Sequence, residues 1–243
     1  MSNGWKESAS AWIAEQADDG DYGRMHVLDR PMLERISGRG FKNALDVGCG
    51  EGRFCRILRD LGIKPVGIDP TEELLEQAQG RDPEGDYRFG YAEALEFADA
   101  SFDLVVSYLS LIDIPYLRKA IAEMTRVLQP GGTLLIANLN SFNTAGLPAG
   151  WQPDINGDPR FYIDHYLEER VDWMEWRGIR IQNWHRPLST YMSLLLSHGL
   201  TLRHFAEPAP YGGDPDKAER YRRVPYFLIM EWEKPGIAAC LPV

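Results

Sequence analysis

Ala44-Leu45-Asp46-Val47-Gly48-Cys49-Gly50-Glu51-Gly52-Arg53-Phe54 decides the reading of this chain. It runs as an apolar strand into a glycine turn and then a helix. Glycine carries no Cβ, so the backbone of such a turn can approach a ligand closely. The next apolar run, Val66-Gly67-Ile68-Asp69, ends in a carboxylate 23 residues after Asp46. A strand, a tight glycine turn, a helix and a second strand ending in an acid is the layout of an adenosine-cofactor site. Asp69 is placed in it to accept hydrogen bonds from two ribose hydroxyls.

Working outward, the chain alternates strand and helix. Strand one is read as Asn43–Val47, and Phe54, Ile57, Leu58 and Leu61 form a helical stripe stopped by Gly62. Strand two is Pro65–Ile68, followed by a short helix with Leu74, Leu75 and Ala78 facing inward. Strand three lies near Tyr87–Phe89 and strand four is Phe102–Ser107. A long amphipathic helix is expected over Ile114–Leu128; Pro130-Gly131-Gly132 ends it before strand five, Thr133–Ala137. A helix at Leu188–Ser197, stopped by Gly199, leads to strand six, Thr201–Ala206, and strand seven, Tyr226–Glu231. Such alternation implies an α/β fold with a parallel sheet covered on both faces. Upstream, residues 5–40 read as a helical cap. Its first segment ends at Asp18-Asp19-Gly20-Asp21, and Pro31 sits in a later first turn. Residues 138–186 carry many aromatics and no clear period, and read as an insertion over the carboxyl ends of the strands.

The bulk numbers restrict the partners. The 243 residues suit a single α/β domain with an insertion, and 44% hydrophobic with 26% charged residues is ordinary for a globular protein. A net charge of −10 with no basic stripe argues against a nucleic-acid partner. Cys49, Cys55 and Cys240 have no metal-ligand spacing and read as reduced cytoplasmic thiols. No secretory signal is visible, and no apolar run approaches the ~20 residues of a membrane span, so no membrane partner is expected.

Gly48, Gly50 and Gly52 give GxGxG, one residue tighter than the dinucleotide-binding turn, and Glu51 sits inside it. An acid there would repel a pyrophosphate at the helix N-terminus, which favours a cofactor without phosphates. With these residues the chain resembles a class I S-adenosylmethionine-dependent methyltransferase of the small-molecule, methyltransferase-11-like group. Leu45 to Gly52 matches that family's first motif closely. Asp69 matches its ribose-binding acid, and Gly90-Tyr91-Ala92-Glu93-Ala94-Leu95 resembles the stretch along the adenine edge. Tyr91 stands where the family often has Asp, which leaves the ring to the backbone at Ala92 and to Glu93. Ser107-Tyr108-Leu109 matches the end of strand four under the methionine part. Arg126-Val127-Leu128-Gln129-Pro130-Gly131-Gly132 resembles the marked turn before strand five.

The resemblance implies a Rossmann-like three-layer sandwich whose mostly parallel seven-stranded sheet has an antiparallel last strand. It also implies one methyltransferase domain over 1–243, with the cap at about 1–40 and the substrate-side insertion at about 138–186. The implied cofactor is S-adenosylmethionine. Its expected contacts are Tyr22, Arg24, Asp46, Gly48, Cys49, Gly50, Asp69, Pro70, Ala92, Glu93, Ser107 and Tyr108. Arg24 would take the cofactor's carboxylate as a bidentate partner, and Asp46 would brace the glycine turn by accepting backbone N–H bonds.

Transfer to a hydroxyl is helped by a general base, and the expected base is His185 in Trp184-His185-Arg186-Pro187-Leu188-Ser189-Thr190-Tyr191. Trp184, Arg186 and Tyr191 are the expected substrate contacts, Arg186 for an acidic group; His165 and Asp113 are weaker candidates for the chemistry. Among the aromatics at 151, 162, 166, 173, 176 and 184, most would pack and one or two would line the pocket. The expected partner is a small-molecule acceptor methylated on oxygen or nitrogen, and a homodimer is compatible with the sequence. The alternatives are a cofactor-binding protein without transfer activity and a nicotinamide-dependent reductase, the latter weakened by the short acidic turn. Ser107-Tyr108-Leu109-Ser110 lacks the Asn/Asp-Pro-Pro-aromatic run of base-methylating enzymes, which disfavours a nucleic-acid methyltransferase.

Overall fold

A computed structural model describes residues 3–16, 19–146 and 150–236; Cys240 and the end of the first helical segment at Asp18 lie outside the described residues. Helix α1 (Trp5–Gln16) is followed by a π-helical turn, Arg24–Leu28, that runs into α2 (Asp29–Glu34). Pro31 lies in the first turn of α2, where its missing N–H is tolerated. The alternating part comprises β1 (Asn43–Val47), α3 (Arg53–Asp60), β2 (Lys64–Asp69), α4 (Glu72–Arg81) and β3 (Asp86–Phe89). It continues through β4 (Phe102–Tyr108), α5 (Leu117–Val127) and β5 (Leu128–Leu139). Helix α5 begins three residues later than its apolar stripe suggests, because Pro115 and the non-helical Tyr116 precede it. Strand β5 takes in the Pro130-Gly131-Gly132 turn, whose Gly131 N–H donates to the Lys234 carbonyl at 2.7 Å. Leu61 leaves the expected stripe of α3: it sits at the C-cap and is exposed, while Gly62 adopts the positive φ that ends the helix.

The segment after β5 has regular structure. Helix α6 (Ser141–Ala145) leads to two hairpins, β6 (Trp151–Pro153) with β7 (Pro159–Phe161), and β8 (Arg170–Trp176) with β9 (Ile179–His185). Trp176 pairs with Ile179, which leaves Arg177-Gly178 as a two-residue loop with φ of +46° and +82°. Both signs are those of a type I′ turn, whose twist matches the flanking strands. Side-chain exposure alternates along both strands of this ladder. The chain returns through α7 (Leu188–Ser197), β10 (Thr201–Ala206), α8 (Pro215–Arg223) and β11 (Phe227–Glu233). Helix α8 falls between the last two expected strands. It is marked by Asp214, whose side chain accepts from the Lys217 N–H at 2.8 Å, and by Pro215 in the first turn.

The seven-stranded sheet has the order β10-β11-β5-β4-β1-β2-β3. β1 to β5 are parallel, and β11 is antiparallel to both β5 and β10, as expected. Central strands read as apolar runs because both faces are covered. On one face α5 and α7 supply Ile121, Met124 and Leu195, which pack with Val105, Leu134 and Met230 of the sheet. On the other face Val27, Leu28 and Met32, with Phe54 and Leu58 of α3, pack on Ala44, Leu104, Val106 and Ile229. Fully burying side chains of this size contributes about 1.5–3 kcal/mol each, which fixes the three layers. Helix α1 packs on α4 and on β9, so it joins the sheet layers to the second hairpin. No helix among the described residues is long and apolar enough to cross a membrane.

Candidate active site

The strand order reverses between β4 and β1, and in open α/β sheets the crevice beyond the carboxyl ends at such a point holds the ligand. A cavity of about 1400 Å³ opens there. Every residue read above as a cofactor contact lines it except Ser107.

The glycine turn is tied to β2. The N–H groups of Gly48 and Cys49 donate to the Ile68 carbonyl at 2.8 and 2.9 Å, and that of Gly50 donates to Asp69 Oδ2 at 3.0 Å. Gly48 has φ +78°, and a Cβ on it would lie 2.4 Å from the Ser110 Cβ, so no other residue fits. Asp69 Oδ1 accepts from the Thr71 N–H at 2.9 Å. Burial pushes the Asp69 carboxyl up to about 6 against those backbone bonds. Each carboxylate oxygen has two lone pairs, so Asp69 can still accept from a diol.

Asp46 does not brace the turn, since the turn's N–H groups go to Ile68 and Asp69 instead. Its Oδ2 accepts from the Cys55 thiol at 3.5 Å, and its buried Oδ1 has no partner among the described residues. Burial pushes Asp46 up to about 7, and the nearby Asp69 and Glu51 add to the shift. A buried carboxylate oxygen without a partner needs a donor, and Asp46 lines the cavity.

Arg24 donates from Nη1 to Asp21 Oδ2 at 2.6 Å, and its guanidinium lies 5.0 Å from the Trp12 ring centroid. An arginine has five N–H donors, so others remain for a ligand carboxylate. The Tyr22 hydroxyl donates to the Gly212 carbonyl at 3.2 Å, and that of Tyr108 to Asp29 Oδ1 at 2.7 Å, which leaves their rings as cavity wall. Ser107 is fully buried behind the wall; its hydroxyl shares a hydrogen bond of 2.7 Å with Ser110, which does line the cavity.

The expected catalytic segment divides. Trp184 lines the cavity, and its N–H donates to the Ile112 carbonyl at 2.7 Å. His185 does not line it. Its Nε2 donates to the Tyr166 carbonyl at 2.9 Å, and its Nδ1 is 2.7 Å from Thr144 Oγ1. Burial lowers its pKa, so the ring is neutral and Nδ1 accepts from the threonine hydroxyl. With both nitrogens bonded to protein, His185 is not placed to take a proton from a substrate. Arg186, 2% exposed, donates to the carbonyls of Leu111, Ile114 and Pro115, and its Nε lies 3.8 Å from Glu169 Oε2, so it clamps the β4–α5 loop rather than meeting an acidic substrate. Tyr191 of α7 is a buried residue of the core and does not line the cavity. His165 is on the surface between Asp164 and Glu168. Among the six aromatics, Trp176 and Trp184 line the cavity.

Asp113, a weaker candidate in the sequence, is brought together with Asn183, which no motif marks. Asp113 lines the cavity in the turn after β4, where Leu109 holds the left-handed φ of +59° that redirects the chain. Asn183 Nδ2 donates to Asp113 Oδ1 at 2.6 Å across the cavity roof. Burial raises the Asp113 carboxyl well above its ordinary range. Trp5 and Trp12 of α1, and Tyr221 and Tyr226 near the carboxyl end, also line the cavity. The sequence signal for the hairpin carrying Asn183 is the period-2 pattern around Arg177-Gly178.

The residues present suit one kind of ligand. Asp46, Glu51, Asp69 and Glu93 give the cavity a row of carboxyls that favours a cation and repels a pyrophosphate. Asp69 suits a ribose diol and Arg24 a carboxylate. Known proteins resemble this chain. Residues 45–136 match the model of a methyltransferase domain. A malonyl-[acyl-carrier protein] O-methyltransferase of Erwinia billingiae is 34% identical over 140 residues, which is 58% of this chain and 56% of that protein. A demethylmenaquinone methyltransferase of Renibacterium salmoninarum is 37% identical over 111 residues, 46% of this chain and 47% of that one. The crystal structure of an S-adenosylmethionine dependent methyltransferase from Mesorhizobium loti superposes with a TM-score of 0.74 at 26% identity, covering 84% of this chain and 94% of that one. Residues 45–136 carry a methyltransferase domain, and the fold is that of the class I S-adenosylmethionine-dependent methyltransferases. The chain spans about half the length of the two curated relatives.

Proposed function

We propose that the protein transfers a methyl group from S-adenosylmethionine to the oxygen or nitrogen of a small-molecule acceptor. The observation that carries this reading is the unpartnered buried Oδ1 of Asp46 beside the glycine turn, with Asp69 at the end of the neighbouring strand. S-adenosylmethionine supplies an electrophilic methyl group on a sulfonium. In this reading Asp46 takes the ammonium of its methionine part, Arg24 the carboxylate, and Asp69 the ribose diol. Ala92 and Glu93 flank the adenine. The chain's contribution is then to orient the acceptor and exclude water, since the donor is already activated. The malonyl-[acyl-carrier protein] relative is named for an acceptor on a carrier protein, and the demethylmenaquinone relative for a quinone precursor. Both names are compatible with methyl transfer here, and the cavity volume accommodates a small acceptor beside the donor.

Calorimetry with S-adenosylhomocysteine tests the reading. Wild-type protein is expected to bind it, and Asp69→Ala to bind about a hundredfold more weakly, because two charge-assisted hydrogen bonds are lost. Equal affinity in both proteins would sink the ribose assignment.

A further inference from the structure

Asp113 is a cavity-lining carboxyl with no place in cofactor binding. It stands in the turn after β4, on the wall shared with Ser110 and Ile112. Asn183 holds its Oδ1 from β9 at 2.6 Å, and the Trp5 side chain of α1 also hydrogen-bonds to it. Two chain-distant elements therefore converge on one carboxyl, and both partners are neutral donors that leave its charge uncompensated. The charged groups that act on it are Asp69, which opposes its ionisation, and Arg24, which is already paired with Asp21.

The cations that line the cavity are otherwise engaged or outward. Arg24 and Arg53 are paired with Asp21 and Asp29, and Lys6, Lys119, Arg177 and Lys217 are exposed. Arg186, behind the wall, is clamped on backbone carbonyls. An acceptor that brings its own proton fits this wall, whereas a free carboxylate would face Asp113 with like charge.

We propose that Asp113, oriented by Asn183 and Trp5, accepts the proton of a hydroxyl or amine acceptor during methyl transfer. The proposal rests on the methyl-donor reading above and names the acceptor class for that site. An oxygen or nitrogen lone pair bonds to the methyl carbon as the carbon–sulfur bond breaks, its electron pair returning to sulfur. The acceptor's proton passes to the Asp113 carboxylate, so a cationic donor and an anionic aspartate become two neutral groups. Burial raises the Asp113 carboxyl above a free aspartate, which strengthens its hold on a transferred proton.

The test needs no known acceptor. Sinefungin carries an amine where the donor carries its methyl group, so its ammonium points at the group that receives the proton. Its affinity is compared with that of S-adenosylhomocysteine by calorimetry. Wild type is expected to prefer sinefungin about tenfold. Asp113→Asn is expected to lose that preference while binding S-adenosylhomocysteine within about twofold of wild type. Asn183→Ala, which frees the carboxyl without removing it, is expected to reduce the preference about threefold. A preference retained in full in both variants would overturn the assignment. Failure of wild type to bind either compound would instead overturn the methyl-donor reading.

Discussion

Asp46 and Asp69 lie at the ends of adjacent strands, in a ladder that pairs Asp46 with Gly67 and Val47 with Ile68. Asn183, Trp184 and His185 lie on a hairpin strand across the cavity, joined to the sheet layers through α1, the Ile112 carbonyl and the Arg186 clamp. The floor is thus positioned by backbone register, and the roof by side chains reaching between distant segments. A register cannot slip by one residue without moving every side chain to the other face, so the floor is held to one geometry. The roof can change residue by residue. In the proposed function, that division lets the donor site stay fixed while the acceptor side varies.

Removing the clamp should break the roof most severely. Arg186→Ala strands three backbone carbonyls and empties a buried volume, and is expected to lower stability by about 3 kcal/mol. Arg186→Lys should recover little, because one ammonium cannot span the three acceptors. Urea unfolding measures both. Stability within about 0.5 kcal/mol of wild type would show that the clamp does not hold the roof.

The same division explains what could be read from the residues. The strands from Asn43 to Ala137, the glycine turn and the acid at the end of β2 follow from local pattern, because each βα unit carries its own turn and stripe. Thr201–Ala206 and Leu188–Ser197 were also legible, down to their ends. The roof was not, because its meaning lies in pairs such as Asn183 with Asp113, which are 70 positions apart, and Trp5 with Asp113, which are further apart still. His185 and Arg186 carry chemistry-bearing side chains, yet their hydrogen bonds point into the protein, and no local pattern distinguishes that from a catalytic role.

On the floor, Asp46 gives a pH-dependent contrast. Its carboxyl is at about 7 in the folded chain and near the usual aspartate value of 3.8 when unfolded. Between those values the folded state binds more protons, so stability falls as pH rises from about 4 to 7. Asp69, pushed up to about 6, adds to the fall over the lower part of that window. Asp46→Asn should flatten the decline and leave the ligand-free protein about 1–2 kcal/mol more stable at pH 8, while weakening cofactor binding. Thermal unfolding across pH, with and without S-adenosylhomocysteine, checks the exchange. A pH profile identical to wild type would mean that the Asp46 carboxyl is satisfied in the free protein.

The smallest effect is expected at the residue that reads most like a catalyst. His185 is neutral because burial lowers its pKa, and it bridges Tyr166 and Thr144 within the segment that follows β5. His185→Gln keeps a donor and an acceptor on a side chain of similar reach, so stability should drop by only about 1 kcal/mol. The pH dependence carries the sharper signature. A buried neutral histidine binds fewer protons folded than unfolded, so its penalty appears as pH falls below about 6.5, opposite in direction to that of Asp46. His185→Gln should remove that acid-side loss and leave S-adenosylhomocysteine affinity and methyl-transfer rate within about threefold of wild type. A collapse of the rate with stability intact would return the base to His185 and take proton transfer away from Asp113.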